Sequence, residues 1–176
     1  MYGAGAENAL HSMLILATRP APVSISDLAS YQKLSEPFLA KLFTRLKKAG
    51  LVRGTEGIAG GFVLARPADS IPVLEVLQAV DPGRGLFTCS EIRRNCALFG
   101  AAPPDWAVSG PCRIHAFMTE AEGMLQRFLA SQTVADLVCE YSCKAPEPFV
   151  AATDGWFAER KQDRLGHRRA AAPGRA

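Results

Sequence analysis

Residues 35–62 read Ser35-Glu-Pro-Phe-Leu-Ala-Lys-Leu-Phe-Thr-Arg-Leu-Lys-Lys-Ala-Gly50-Leu-Val-Arg-Gly-Thr-Glu-Gly-Ile-Ala-Gly-Gly-Phe62, and the fold turns on them. Ser35 suits an N-cap, and Pro37 fits a first helical turn, where a missing N–H costs nothing. Phe38, Leu39, Leu42, Phe43 and Leu46 recur at three- and four-residue spacing, which predicts one buried face. Lys41, Arg45 and Lys48 fall on the opposite face, and Gly50 ends the helix. Two short β-type runs, 51–53 and 62–65, flank a tip rich in Gly57, Gly60 and Gly61, as in a hairpin wing. Just upstream, Ser24-Ile-Ser-Asp27 opens a shorter helix in capping-box style, with Ile25, Leu28 and Ala29 inward and a turn at 32–34. Helix, tight turn, basic helix and wing is the arrangement that lays its second helix in a DNA major groove.

Around this unit the chain is helical. Residues 7–18 carry Ala9, Leu10, Met13, Leu14 and Ala17 as a stripe, while Glu7 and His11, four apart, share one face. Pro20 and Pro22 close that helix. A fourth helix follows Ile71-Pro72 with Leu74, Val76, Leu77 and Val80 inward, and Pro82-Gly83 stops it. The glycines near 57–61 do not form a phosphate cradle, because no helix of the P-loop kind follows them.

Charge is unevenly placed. The net charge is +3 over 176 residues. Residues 160–176 hold six basic side chains against Asp163, and residues 33–53 hold six against Glu36, so each stretch carries +5. A basic island of this kind suits a nucleic-acid face. No stretch reaches the apolar length of a membrane span, and no secretion signal opens the chain, so the sequence predicts a cytoplasmic protein without a membrane partner. Five cysteines in a reducing compartment point to metal or redox chemistry more than to disulfides.

Three of those thiols, Cys89, Cys96 and Cys112, lie with His115 in a segment of poor periodicity broken by Gly100, Pro103 and Pro104. Such a segment is too long for an ordinary connection and needs something to fold around. Cys112 and His115 have the spacing of a metal site. As a catalytic pair they lack an orienting acid and an oxyanion site, which argues against an enzyme. Beyond them, Ile114, Phe117, Met118, Ala121, Met124, Leu125, Phe128 and Leu129 form a helical stripe longer than a small domain can cover, so it predicts a homodimer seam. Thr133-Val-Ala-Asp-Leu starts a last short helix. Trp156 and Phe157 are candidates for local docking, and disorder is expected from about residue 160.

In their order, these features resemble the Rrf2 family of bacterial transcription regulators, which includes IscR-, NsrR- and RsrR-like members. The likeness rests on Phe38-Leu-Ala-Lys-Leu-Phe, on Leu46-Lys-Lys-Ala-Gly-Leu-Val52, on the Gly60-Gly-Phe wing followed by Leu64-Ala-Arg-Pro67, and on Thr133-Val-Ala-Asp-Leu. It covers residues 1 to about 140. It implies a mainly α fold with a small β-hairpin wing, divided as a winged helix-turn-helix domain (1–83), a cluster-binding loop (84–111), a dimerisation helix with a short terminal helix (112–144) and a C-terminal extension (145–176). The intervals from Cys89 to Cys96 to Cys112 depart from the short, even spacing of the IscR and NsrR pattern. Glu7-Asn-Ala-Leu-His11, Phe87-Thr-Cys-Ser-Glu-Ile-Arg93 and Pro111-Cys112 are instead similar to the RsrR-type redox-sensing branch. That likeness implies a [2Fe–2S] cluster held by Cys89 and Cys112 of one subunit with Glu7 and His11 of the other. Cys96 and His115 stand as alternate ligands. Ser35, Pro37, Lys41, Arg45, Lys47, Gly57 and Gly60 are the implied contacts to double-stranded DNA at a pseudo-palindromic operator. The function implied is a dimeric regulator, acting as a repressor or an activator, that senses redox, nitric oxide or iron–sulfur status. The alternative is a cluster-free regulator of the same fold, switched by a small molecule or a partner protein.

Overall fold

The computed structural model describes residues 2–170 apart from Ile58, Arg84, Leu86, Glu91 and Pro111. Helix α1 (Ala4–Ala17) runs through the centre, then α2 (Ile25–Gln32) and α3 (Glu36–Lys48) form the helix-turn-helix. Lys33 makes the turn between them in the left-handed conformation, at φ 54°. Strands β1 (Val52–Thr55) and β2 (Gly61–Leu64) pair antiparallel with Val52 opposite Leu64 and Thr55 opposite Gly61. After α4 (Val73–Val80) come the cysteine segment with the short α5 (Asp105–Val108), the long α6 (Arg113–Ser131), α7 (Val134–Lys144) and α8 (Glu147–Ala170). No helix among the described residues is long and apolar enough to cross a membrane.

The core gathers Met13, Leu28, Leu39, Phe43, Leu46, Leu51, Ile71 and Val76. The wing is fastened to it by backbone as well as by side chains. Val23 and Phe62 exchange both N–H···O=C bonds, at 3.0 and 2.8 Å. A Cβ on Gly61 would stand 2.4 Å from the Val23 carbonyl oxygen, so only glycine permits this approach. The Phe62 ring then packs edge-on against Phe43 of α3, 4.9 Å between centroids. A second clasp joins the α6–α7 corner to α4: Val73 N–H donates to Gln132 and Val134 N–H to Ile71. Thr133 caps α7 with a complete capping box, its hydroxyl and the Asp136 carboxylate each taking the other's backbone N–H.

Several details differ from the sequence reading. Phe38, expected inward, is 37% exposed, because the first turn of α3 projects past the core. In α4 Val73 is buried while Leu74 is only half-buried, the Val73 backbone being clasped to Gln132. Ile25 is only half-buried. Leu10, Leu14 and Ala17 of the α1 stripe are half-buried as well, whereas Ala6, Ser12, Ile15 and Leu16 are buried, since α1 is packed on more than one side. Ser35 holds the N-cap position of α3 without a side-chain bond.

The largest difference lies at the C-terminal end. Thr133 does not open the last helix, and disorder does not begin near 160: α8 continues as helix to Ala170, with 171–176 outside the described residues. Thr153, Trp156, Phe157, Arg160 and Arg164 share a face of α8 that packs on Asp27, Ser30 and Tyr31 of α2 and on Arg19 just past α1. Tyr31 and Thr153 share a hydroxyl hydrogen bond of 3.2 Å, and Tyr31, Trp156 and Phe157 stack as an aromatic cluster. Arg19 pairs with Asp154 at 2.9 Å and lies over the Phe157 ring. Asp27, 3% exposed, receives Arg160 at 3.0 Å and Arg164. The Ser24 hydroxyl accepts from Asp27 N–H as a capping box begins, but the Asp27 carboxylate turns to the α8 arginines instead of closing it.

Candidate nucleic-acid interface and cluster ligands

Helix α3 presents Ser35, Pro37, Lys41, Arg45, Lys47 and Lys48 on its exposed side while Leu39, Leu42, Phe43 and Leu46 anchor it below. Because the anchored face is rigid, the basic face is held as a unit, as a groove-reading helix requires. Lys41 and Lys47 have no hydrogen-bond or ion-pair partner among the described contacts. Arg45 is partly committed, since its guanidinium donates to the Val80 carbonyl at the end of α4. It therefore joins the reading helix to α4 as well as facing outward. On the wing, Gly57 is exposed with φ 101° and Gly60 is half-buried. A Cβ on Gly60 would stand 2.3 Å from the Thr55 carbonyl oxygen, so this glycine shapes the turn. Glu56, exposed beside the tip, is the acidic side chain there.

The cysteine segment sorts its thiols by shielding. Cys89 and Cys112 are half-buried, whereas Cys96, Cys139 and Cys143 are exposed. Cys112 sits at the N-cap of α6, where free N–H groups and the helix dipole favour negative charge. His115, one turn on, is exposed, and its ring lies 6.3 Å from that of Phe87. Glu7 and His11 are exposed side by side on α1, at the edge of a cleft that α1 forms with α7 and α8. Among the described residues no three His, Cys, Asp or Glu side chains come together within one chain. Neither ligand set is thus assembled from a single copy. Glu91 and Pro111 of the quoted motifs lie outside the described residues.

Helix α6 buries no residue at all: Ile114, Phe117, Met124 and Phe128 are each 60% exposed or more. An apolar face of that size on an otherwise folded chain marks an interaction surface. The feature that sequence reasoning missed is α8, although Thr153, Trp156, Phe157, Arg160 and Arg164 repeat at helical intervals and carried a signal.

A family model described as "Rrf2: Iron-dependent Transcriptional regulator" matches residues 3–140. The regulator IscR of Escherichia coli O1:K1 / APEC is 33% identical over 123 residues, covering 70% of this chain and 69% of its own. The structure of IscR from T. potens superposes with a TM-score of 0.63 at 23% identity, covering 84% of this chain and 93% of that one. That of CymR (YrzC), the global cysteine regulator of B. subtilis, gives 0.63 at 20% identity over 80% and 97%. At such identities the two structures speak to the fold, and both share its winged arrangement. With the family model spanning most of the chain and a basic helix held above a fastened wing, this protein belongs to the Rrf2 family of DNA-binding transcriptional regulators.

Proposed function

We propose that the chain acts as a homodimer on a pseudo-palindromic DNA operator and senses redox, nitric oxide or iron–sulfur status through a [2Fe–2S] cluster. Cys89 and Cys112 of one copy would hold the cluster together with Glu7 and His11 of a second copy. The observation that supports this set is the division of exposure: the two thiols are the shielded pair among five, while Glu7 and His11 stand outward on one helix face. Thiolate, imidazole and carboxylate are all iron ligands, and the N-terminus of α6 offers N–H groups to a negatively charged centre. When bound, the group would supply a one-electron couple, at a higher potential than an all-cysteine site gives. This chain's own part is to position the donors. α6 carries Cys112 together with the apolar face proposed for the dimer, and α1, which bears Glu7 and His11 on its exposed side, packs against α4, α7 and α3. A change at the donors then acts on elements that set how far apart the two α3 helices stand.

In DNA, Lys41, Arg45, Lys47, Ser35 and Pro37 would meet the major groove and its phosphates, with Gly57 and Gly60 bringing the wing backbone to the minor groove. The ligand test compares His11→Ala, Cys96→Ala and His115→Ala after anaerobic purification, by iron content and visible absorbance. Loss in His11→Ala with a retained dimer, and near-normal spectra in the other two, is the expected result. Full iron in His11→Ala with loss in Cys96→Ala gives the site to the loop's own Cys89, Cys96, Cys112 and His115. A heterodimer of Cys89→Ala with His11→Ala should keep about half the iron, because one of its two sites has all four donors.

A second reading is favoured by one observation, the cleft between α1, α7 and α8 at whose edge Glu7 and His11 stand. On that reading the regulator carries no cluster and is switched by a small molecule. Colourless, iron-free protein that binds its operator with full affinity would decide for it.

A further inference from the structure

The course of α8 is fixed by α2. Thr153, Trp156 and Phe157 meet Tyr31, Arg160 reaches Ser30 and Asp27, and Arg164 reaches Asp27. As α8 advances, its contacts retreat along α2 from the last turn to the first, so the two helices run antiparallel. Helix α8 then continues to Ala170. One further turn past Arg164 rises about 6 Å, whereas Ser24 lies about 4.5 Å before Asp27 along the axis of α2. Residues 168 and 169 therefore stand level with the N-terminal end of α2 or beyond it. That end of α2 borders the wing tip. Val23 exchanges both backbone bonds with Phe62, and a Cβ on Gly61 would stand 2.9 Å from the Ser24 nitrogen. Gly61, opposite Thr55, is the last pair before the tip.

Charge says what this end of α8 would meet. Residues 54–61 at the wing tip include Glu56 and no basic side chain. Beyond Asp163 the sequence holds Arg164, Arg168, Arg169 and Arg175 and no acidic residue. Arg160 and Arg164 answer the buried Asp27 carboxylate, whereas Arg168 and Arg169 follow with no acid after them. In a helix-turn-helix the first helix crosses the phosphate backbone while the second lies in the major groove. A positive helix end at the start of that first helix, next to the wing tip, has phosphate as its complement. We propose that Arg168 and Arg169 bind backbone phosphates of the operator beside the wing, as a third DNA contact of each subunit. Guanidinium suits the task, since it offers a phosphate two parallel N–H donors. Such contacts add affinity and fix position without reading bases. The proposal rests on α3 being the DNA reader.

The test uses full-chain protein and an operator duplex that the wild type selects from a random-sequence pool. Affinity is measured against salt concentration for wild type, Arg168→Ala/Arg169→Ala and Arg168→Lys/Arg169→Lys. In the alanine variant the slope should fall by about two units per bound chain, because each lost phosphate contact removes nearly one. The lysine variant should keep most of that slope. Tm should hold in both, because Arg160, Arg164 and Asp27 are untouched. Hydroxyl-radical footprints should lose protected backbone positions in the alanine variant while the positions that depend on Lys41 remain. An unchanged slope and footprint in the alanine variant, or an equal loss in the lysine variant, overturns the proposal. Lys41→Ala separates that failure from failure of the reader. If its slope falls while the alanine variant's does not, α3 reads DNA and α8 does not touch it. If neither falls, both readings fail.

Discussion

Removing Arg160 and Arg164 together should destabilise the protein far more than removing either alone. Asp27 is 3% exposed, and its carboxylate is met by these two guanidiniums, whose side chains are 39% and 29% exposed. Each pair is partly open to water, so Arg160→Ala or Arg164→Ala alone should cost about 1 kcal/mol, since the remaining arginine still compensates the charge. With both gone, a buried carboxylate has no counter-charge, and the loss should reach about 3 kcal/mol. For a chain of this size that is a fall in Tm of about 6–12 °C, against about 2–4 °C for each single variant. Thermal unfolding followed by circular dichroism measures all three. The decisive addition is Asp27→Asn in the doubly substituted protein, which removes the stranded charge and should restore part of the lost stability. A double variant no worse than the sum of the singles, or no recovery on adding Asp27→Asn, would refute the view that α8 is held by a buried ion cluster.

Lys41→Ala and Lys47→Ala should each lower the slope of operator affinity against salt by about one unit, with unfolding unaltered. Arg45→Ala should weaken DNA binding and also lower Tm, because its guanidinium bonds the Val80 carbonyl. Wild-type behaviour of all three across a salt titration would exclude α3 as the reader. Phe117→Glu, placing a charge on the exposed α6 face, should yield a monomer by light scattering, and an unchanged dimer would move the interface elsewhere. Asp136 is held below the usual carboxylate range by hydrogen bonds from the Thr133 hydroxyl and backbone. A depressed carboxyl stabilises above its unfolded-state value and ceases to as pH falls through its folded one. The Tm gap between wild type and Asp136→Asn should therefore be full at neutral pH and close on acidification below about pH 4.

The helix-turn-helix and wing were legible because their residues answer to local rules. Leu39, Leu42, Phe43 and Leu46 alternate with lysine and arginine sharply enough to define a face, and Gly50 and Gly61 stand where the backbone demands them. The ends of elements were less so: Phe38 and Val73 are decided by what lies beyond their own helices, through the edge of the core and the clasp to Gln132. Helix α8 escaped because its arginines look like a solvated tail until Asp27 is known to be buried, and Asp27 itself looks like a local cap. The proposed cluster donors are legible only as residue types at helical or loop spacing. Glu7 and His11 do not meet Cys89 and Cys112 within one chain, so no pattern along a single sequence can assemble them.

The long reach of the Asp27 contacts has a consequence for how the chain is made. Arg160 and Arg164 follow Asp27 by 133 and 137 residues. At the ribosome, α2 emerges long before its arginines exist, with the Ser24 N-cap already beside it. Until α8 exists, the carboxylate has no arginine to meet, and the capping box with the Ser24 amide is the local bond open to it. When α8 arrives, the same oxygens are taken over by guanidiniums. The local bond that Asp27 could make from within its own helix is thus exchanged, in the finished chain, for contacts that only the far end of the sequence can supply.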